Sequence, residues 1–155
     1  MLHIEVRSAK PTVLVVDDSP ELRRYFRVLL ESEGYPVLLA SDGIEGVQLV
    51  RMGTAVSVVL LDLQMPGMDG LQTLRCLHEL KPDLRVIICS GVEDPNIIRD
   101  ALAAGAHTYL LKPIQRLYLS AAIHGCLSED RSVIMPAQSG SRLITMASPV
   151  GCRPN

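Results

Sequence analysis

Residues able to do chemistry stand at the ends of four short apolar runs. They are Asp17 and Asp18 after "VLVV", Asp62 after "VVLL", Ser90 and Gly91 after "VIIC", and Lys112 and Pro113 after "YLL". If the chain brings these ends together, three carboxylates repel one another. Two unit charges ~4 Å apart interact by roughly 4 kcal/mol at an effective dielectric of about 20. Lys112 offsets one charge, and a hard divalent cation would offset the rest. An all-oxygen donor set suits Mg²⁺, with Mn²⁺ as the alternative. Such a cation leaves room for a phosphate oxygen, and Ser90 and Lys112 could bind two more oxygens of the same group. Asp62 would then be the nucleophile that forms an aspartyl-phosphate. Gly91 beside Ser90 leaves space for the incoming group. Taken singly, each residue has a plainer reading: a helix cap, a turn residue or a surface lysine. The placement of all of them at strand ends carries the chemical reading.

The elements that must position them alternate along the chain. "TVLVVD" (12–17), "PVLLA" (36–40), "AVSVVLLD" (55–62), "LRVIICS" (84–90) and "HTYLL" (107–111) read as strands, rich in β-branched and aliphatic residues and bounded by turn formers. The third is continuously apolar, which implies cover on both faces. Between them lie amphipathic helices. Ser19 caps the first, with Pro20 in its first turn, a stripe of Leu22, Phe26, Leu29 and Leu30, and Gly34 just past its end. Asp42 and Glu45 form a capping box for the second, with Ile44, Val47 and Val50 as its stripe. Asp69 or Gly70 opens the third, carrying Leu71, Leu74, Leu77 and Leu80. Asp94 and Pro95 start the fourth, with Ile97, Ile98, Ala101 and Leu102. The fifth spans about 114–127 and uses Leu117, Ala121 and Ile123. Five strands alternating with five helices through short loops give an α/β, doubly wound parallel sheet with helices on both faces. In such sheets ligands bind outside the carboxyl ends of the strands, where the candidate residues fall. Strand order does not follow from the pattern.

With 155 residues and 48% hydrophobic content, the chain has enough for one core. A formal net charge of −2 gives no electrostatic case for nucleic acid. The pair Arg23 and Arg24 reads as a solvated helix face. Cys76, Cys89, Cys126 and Cys152 form no CxxC pair, and the first two read as buried free thiols. No signal-peptide core and no apolar run near ~18 residues points to secretion or a membrane span, so a cytoplasmic location is expected. No phosphate-binding glycine loop follows the first strand. Met65 and Met68 read as packing residues. Residues 128–155 read as a flexible tail or linker, with "RLITM" (142–146) able to form a short docking helix or strand.

These motifs resemble the receiver domain of two-component response regulators, over about residues 11–127. The match is to "VLVVDDSP", "LLDLQMPGMDG", "IICSG" and "YLLKP". The resemblance implies a flavodoxin-like strand order of 2-1-3-4-5 and a cis bond before Pro113. It implies Asp62 as phosphoacceptor and Asp17, Asp18, Asp62 and a backbone carbonyl at Gln64 as the Mg²⁺ set. Ser90 and Tyr109 become switch residues, with Lys112 completing the catalytic set and Gly91 and Pro113 supporting it. Gln64 stands where the family tunes dephosphorylation. The implied donor is a histidine kinase or a histidine phosphotransfer domain, and the output a downstream protein target. A homodimer through the face of the fourth helix, fifth strand and fifth helix stays open. The chain resembles a stand-alone, chemotaxis-type receiver. A scaffold that works without phosphorylation, or a receiver fragment of a transcription factor, are the alternatives. A phosphohydrolase with an aspartyl nucleophile is disfavoured, because Gln64 cannot serve as its general acid. The domain would catalyse only its own phosphotransfer and dephosphorylation, which leaves open whether it is called an enzyme.

Overall fold

The computed structural model describes residues 9–128 and 143–145. Chain order is β1 (Thr12–Val16), α1 (Pro20–Ser32), β2 (Val37–Ala40), α2 (Gly43–Arg51), β3 (Val56–Leu61), α3 (Gly70–Leu80), β4 (Arg85–Ser90), α4 (Pro95–Ala103), β5 (Thr108–Leu111), α5 (Arg116–Leu127) and β6 (Leu143–Thr145). The sheet runs β2-β1-β3-β4-β5-β6. Its first five strands pair in parallel, in the order the resemblance implies. The sixth pairs antiparallel with β5 and lies within the stretch where the sequence left a helix or a strand open. The remainder of 129–155, including Cys152, lies outside the described residues.

Strand alternation sorts the core into two layers. Leu14, Val16, Val59, Leu61, Val86, Ile88, Tyr109 and Leu111 face one layer, with α2, α3 and α4. Val13, Val15, Val58, Leu60, Ile87, Cys89 and Leu110 face the other, with α1 and α5. Buried residues on both faces explain why the central strands read as unbroken apolar runs.

The helix starts form as their sequences dictate. Ser19 Oγ accepts from Leu22 N–H at 3.3 Å, Asp42 Oδ1 from Glu45 N–H at 2.8 Å, Asp69 Oδ1 from Gln72 N–H at 2.8 Å and Asp94 Oδ1 from Asn96 N–H at 2.8 Å. The box on α2 closes one residue early, since Glu45 Oε2 accepts from Ser41 N–H at 2.9 Å instead of reaching Asp42. Three stripes differ from expectation. Ile44 is exposed, and α2 buries Gly43, Gly46, Val47 and Val50. An added Cβ on Gly43 would sit 2.1 Å from Thr73 Oγ1, so glycine there lets α2 lie close against α3. Leu117 is 67% exposed, and α5 buries Tyr118, Leu119, Ala122, Ile123 and Cys126. Leu80 also points to solvent.

Candidate functional site

Each of β1, β3, β4 and β5 ends at the same edge, and each delivers a polar group there. Asp17 and Asp62 are backbone-registered: Asp62 N–H donates to Val16 O at 3.0 Å, which fixes the end of β3 against the end of β1. Ligand oxygens of Asp17, Asp18 and Asp62 lie within 4.8 Å of one another. Asp17 and Asp62 are buried, and Asp18 is exposed. Lys112 Nζ donates to Asp17 Oδ2 at 3.0 Å and stands 3.4 Å from Asp62 Oδ2. Three carboxylates against one ammonium leave a surplus of negative charge in a mostly buried cluster. The donor set therefore fits a hard divalent cation.

Burial and charge act in opposite senses on Asp62. Burial pushes its carboxyl above the usual range. The Gln64 N–H, donated to Oδ1 at 3.1 Å, and the charge of Lys112 oppose that, while Asp17 adds to it. Lys112 is held above its ordinary value. Burial works against its charge, and the hydrogen bond to Asp17 with the nearby Asp62 outweighs the burial.

The other expected residues are placed as follows. Ser90 is buried at the end of β4, and its Oγ accepts from Val92 N–H at 3.2 Å. Gly91 is exposed, and a Cβ added there would meet no atom within 4 Å, so packing alone does not require glycine. Gln64 has its side chain at the surface beside the pocket. Tyr109 is fully buried on β5, and its hydroxyl donates to Val92 O at 2.8 Å, in the loop that follows Ser90. The Lys112–Pro113 bond is cis. Gly70 seats the loop: a Cβ there would lie 2.4 Å from Leu63 Cα and 2.6 Å from Asp62 O.

The sequence reading missed Arg23. It is half-buried, not part of a solvated face, and its Nη1 donates to Asp17 O at 2.6 Å. Its place one turn into α1, which begins directly after the acid pair, was the available signal. Tyr25 was also missed; its hydroxyl donates to Ile114 O at 3.1 Å and ties α1 to the segment after Pro113.

A parallel sheet thus gathers acids, a hydroxyl and an ammonium at its carboxyl edge. The response regulator receiver domain matches by its family model over residues 13–124, and the chain belongs to that family. It is thereby a signal-transduction domain of the two-component type, built for phosphorylation-dependent signalling. Among its relatives, the chemotaxis protein CheY of Treponema pallidum is 38% identical over 106 residues, covering 67% of this chain and 74% of that protein. The transcriptional regulatory protein ZraR of Klebsiella oxytoca is 35% identical over 130 residues, covering 81% of this chain and 29% of that protein. Among solved structures, the CheX–CheY–BeF3–Mg complex from Borrelia burgdorferi aligns with a TM-score of 0.73 at 30% identity, covering 77% of this chain and 90% of that one.

Proposed function

We propose that Asp62 accepts a phosphoryl group from the phosphohistidine of a histidine kinase or histidine phosphotransfer domain. A carboxylate oxygen of Asp62 attacks phosphorus, the P–N bond breaks, and the imidazole leaves with its electron pair and takes up a proton. The observation that carries this reading is the Asp62 carboxylate, buried, with Lys112 Nζ at 3.4 Å and the oxygens of Asp17 and Asp18 within 4.8 Å. Asp17, Asp18, Asp62 and the Gln64 carbonyl would hold Mg²⁺, or Mn²⁺ in its place. That ion would supply Lewis-acid neutralisation of the transferring group's charge. Lys112 holds Asp17 and offers its ammonium to a phosphoryl oxygen. Ser90 offers a hydroxyl to another, and Gly91 leaves the approach open. Arg23, holding the Asp17 carbonyl, sets where the acid pair stands.

The readout follows from the same connections. A shift of about 5.5 kcal/mol moves a two-state equilibrium from 1:99 to 99:1. A doubly charged phosphate facing a cation and a lysine is of a strength to supply it. Ser90 and Tyr109 bond to opposite sides of one residue, Val92, so a move of Ser90 towards the phosphate is passed to Tyr109. Residues 11–127 act as the receiver unit, in the cytoplasm, with a protein target on the α4–β5–α5 face. A homodimer through that face would have to accommodate β6.

Acetyl phosphate with Mg²⁺ is expected to label Asp62 at one phosphoryl group per chain, read by intact mass. Asp62→Ala is expected to abolish the label. Full labelling of that variant would overturn the assignment.

A further inference from the structure

The two outer strands of the parallel array are protected differently. β2 is four residues long and is preceded directly by Pro36, which suits an edge. β5 is "TYLL", with neither charge nor proline before Lys112. Its outer side is instead paired with Leu143–Thr145. That strand is the one departure from parallel pairing in the described sheet. It joins in three register pairs, Thr108↔Thr145, Tyr109↔Ile144 and Leu110↔Leu143. It lies beyond the βα progression, separated from the end of α5 by residues 128–142. Fifteen residues can extend roughly 50 Å, far more than the length of a four-residue strand.

The hydrogen-bond parity of β5 says which amides are involved. Lys112 N–H donates inward to Ser90 O at 2.9 Å. Parallel ladders alternate, so Leu110, two residues earlier, also faces β4, and the main-chain groups of Tyr109 face outward, towards Ile144 of β6. The edge is thus a short set of main-chain donors and acceptors on an uncharged strand, and it accepts an antiparallel backbone. We propose that the outer edge of β5 is a strand-addition interface for an extended aliphatic segment, kept closed within each molecule by the chain's own Leu143–Thr145. A three-residue strand is a short cover. It holds because tethering raises its effective concentration to about millimolar. An added strand would sit on the same β5 that delivers Lys112 to the pocket, so a partner bound here lies against a strand that reaches the acids.

The test reads hydrogen exchange of the Tyr109 amide in the full chain. Wild type is expected to protect it. Ile144→Pro removes the donor opposite it and should speed its exchange ~10-fold or more. Ile144→Val keeps the donor and should keep the protection. A synthetic peptide of sequence SRLITMA, at about 1 mM, should restore protection to the proline variant and leave wild type unchanged. Unchanged exchange in the proline variant overturns the closure. Failure of the peptide to protect the opened variant overturns the strand-addition site. Protection that rises with protein concentration, together with a dimer, would place the strand in a second copy and overturn its assignment to the same molecule.

Discussion

At the carboxyl edge of the sheet Lys112 stands between two buried carboxylates, 3.0 Å from Asp17 and 3.4 Å from Asp62. At the amino edge Lys81 donates to a backbone carbonyl, Val56 O, at 2.6 Å. His78 stands between two carbonyls, with Nδ1 3.3 Å from Ala104 O and Nε2 3.1 Å from Leu84 O, and donates its ring N–H to one of them. The polar side chains of the amino edge complete hydrogen bonds that the fold leaves open where helices end and strands begin. Those of the carboxyl edge are left with surplus charge that only an added ligand would balance. Under the proposed function the same strands end in stability at one side and in chemistry at the other, and a substitution should betray which side it is on.

The sharpest contrast pairs the two lysines. Lys112→Ala leaves Asp17 and Asp62 buried without their cation. It should lower phosphoryl labelling roughly 100-fold or more. It should also cost about 3 kcal/mol in the metal-free protein, a loss that millimolar Mg²⁺ partly restores. Lys81→Ala should leave labelling per folded molecule unchanged and cost about 1 kcal/mol. Urea denaturation with and without Mg²⁺, beside a labelling time course, reads both. If Lys81→Ala slowed labelling as much as Lys112→Ala, the division between the edges would fail.

His78→Ala is the next largest effect. It removes the ring N–H that donates to Ala104 O or to Leu84 O, according to tautomer, and opens space beside Gly105, whose added Cβ would lie 2.6 Å from the imidazole. A cost of about 2 kcal/mol is expected, with labelling unchanged. A labelling defect at full folding would mean that the amino edge takes part in the chemistry.

What the sequence showed and what it hid divides along similar lines. Strand ends and helix caps were legible because they are local: Ser19, Asp42, Asp69 and Asp94 each act within a few residues. The pocket was legible because four apolar runs each end in a polar residue. The phase of α5 was not. Leu117, Tyr118, Leu119, Ala121, Ala122 and Ile123 are nearly continuous, so several stripes fit equally well and only tertiary packing selects Tyr118, Leu119, Ala122, Ile123 and Cys126. Strand order came from resemblance, because spacing does not encode which strands pair. Arg23 was hidden for another reason: a basic residue on a helix reads as solvated until the carbonyl it faces is known. The pairing of Leu143–Thr145 with β5 is equally non-local, since its partner lies more than thirty residues earlier.

The smallest expected effect tests charge balance away from both edges of function. Glu33, at the end of α1, accepts from Ser120 Oγ at 2.6 Å and from Arg116 Nε at 3.2 Å, joining α1 to α5. Burial alone would raise its carboxyl, but the Ser120 hydroxyl and the Arg116 guanidinium outweigh burial and hold it below its ordinary value of 4.5. A depressed folded value means that the stabilisation is complete above the unfolded value and is lost as pH falls through the folded one. Glu33→Gln keeps an acceptor for Ser120 and deletes the charge. It should cost under about 1 kcal/mol at neutral pH, because Arg116 is largely exposed. That cost should fade as pH falls through the folded value, below which wild type has also lost the charge. Urea midpoints of both proteins across that range decide the matter. A gap that persists in acid would assign the loss to packing, and the matched charge of this joint would no longer contrast with the unmatched charge around Asp62.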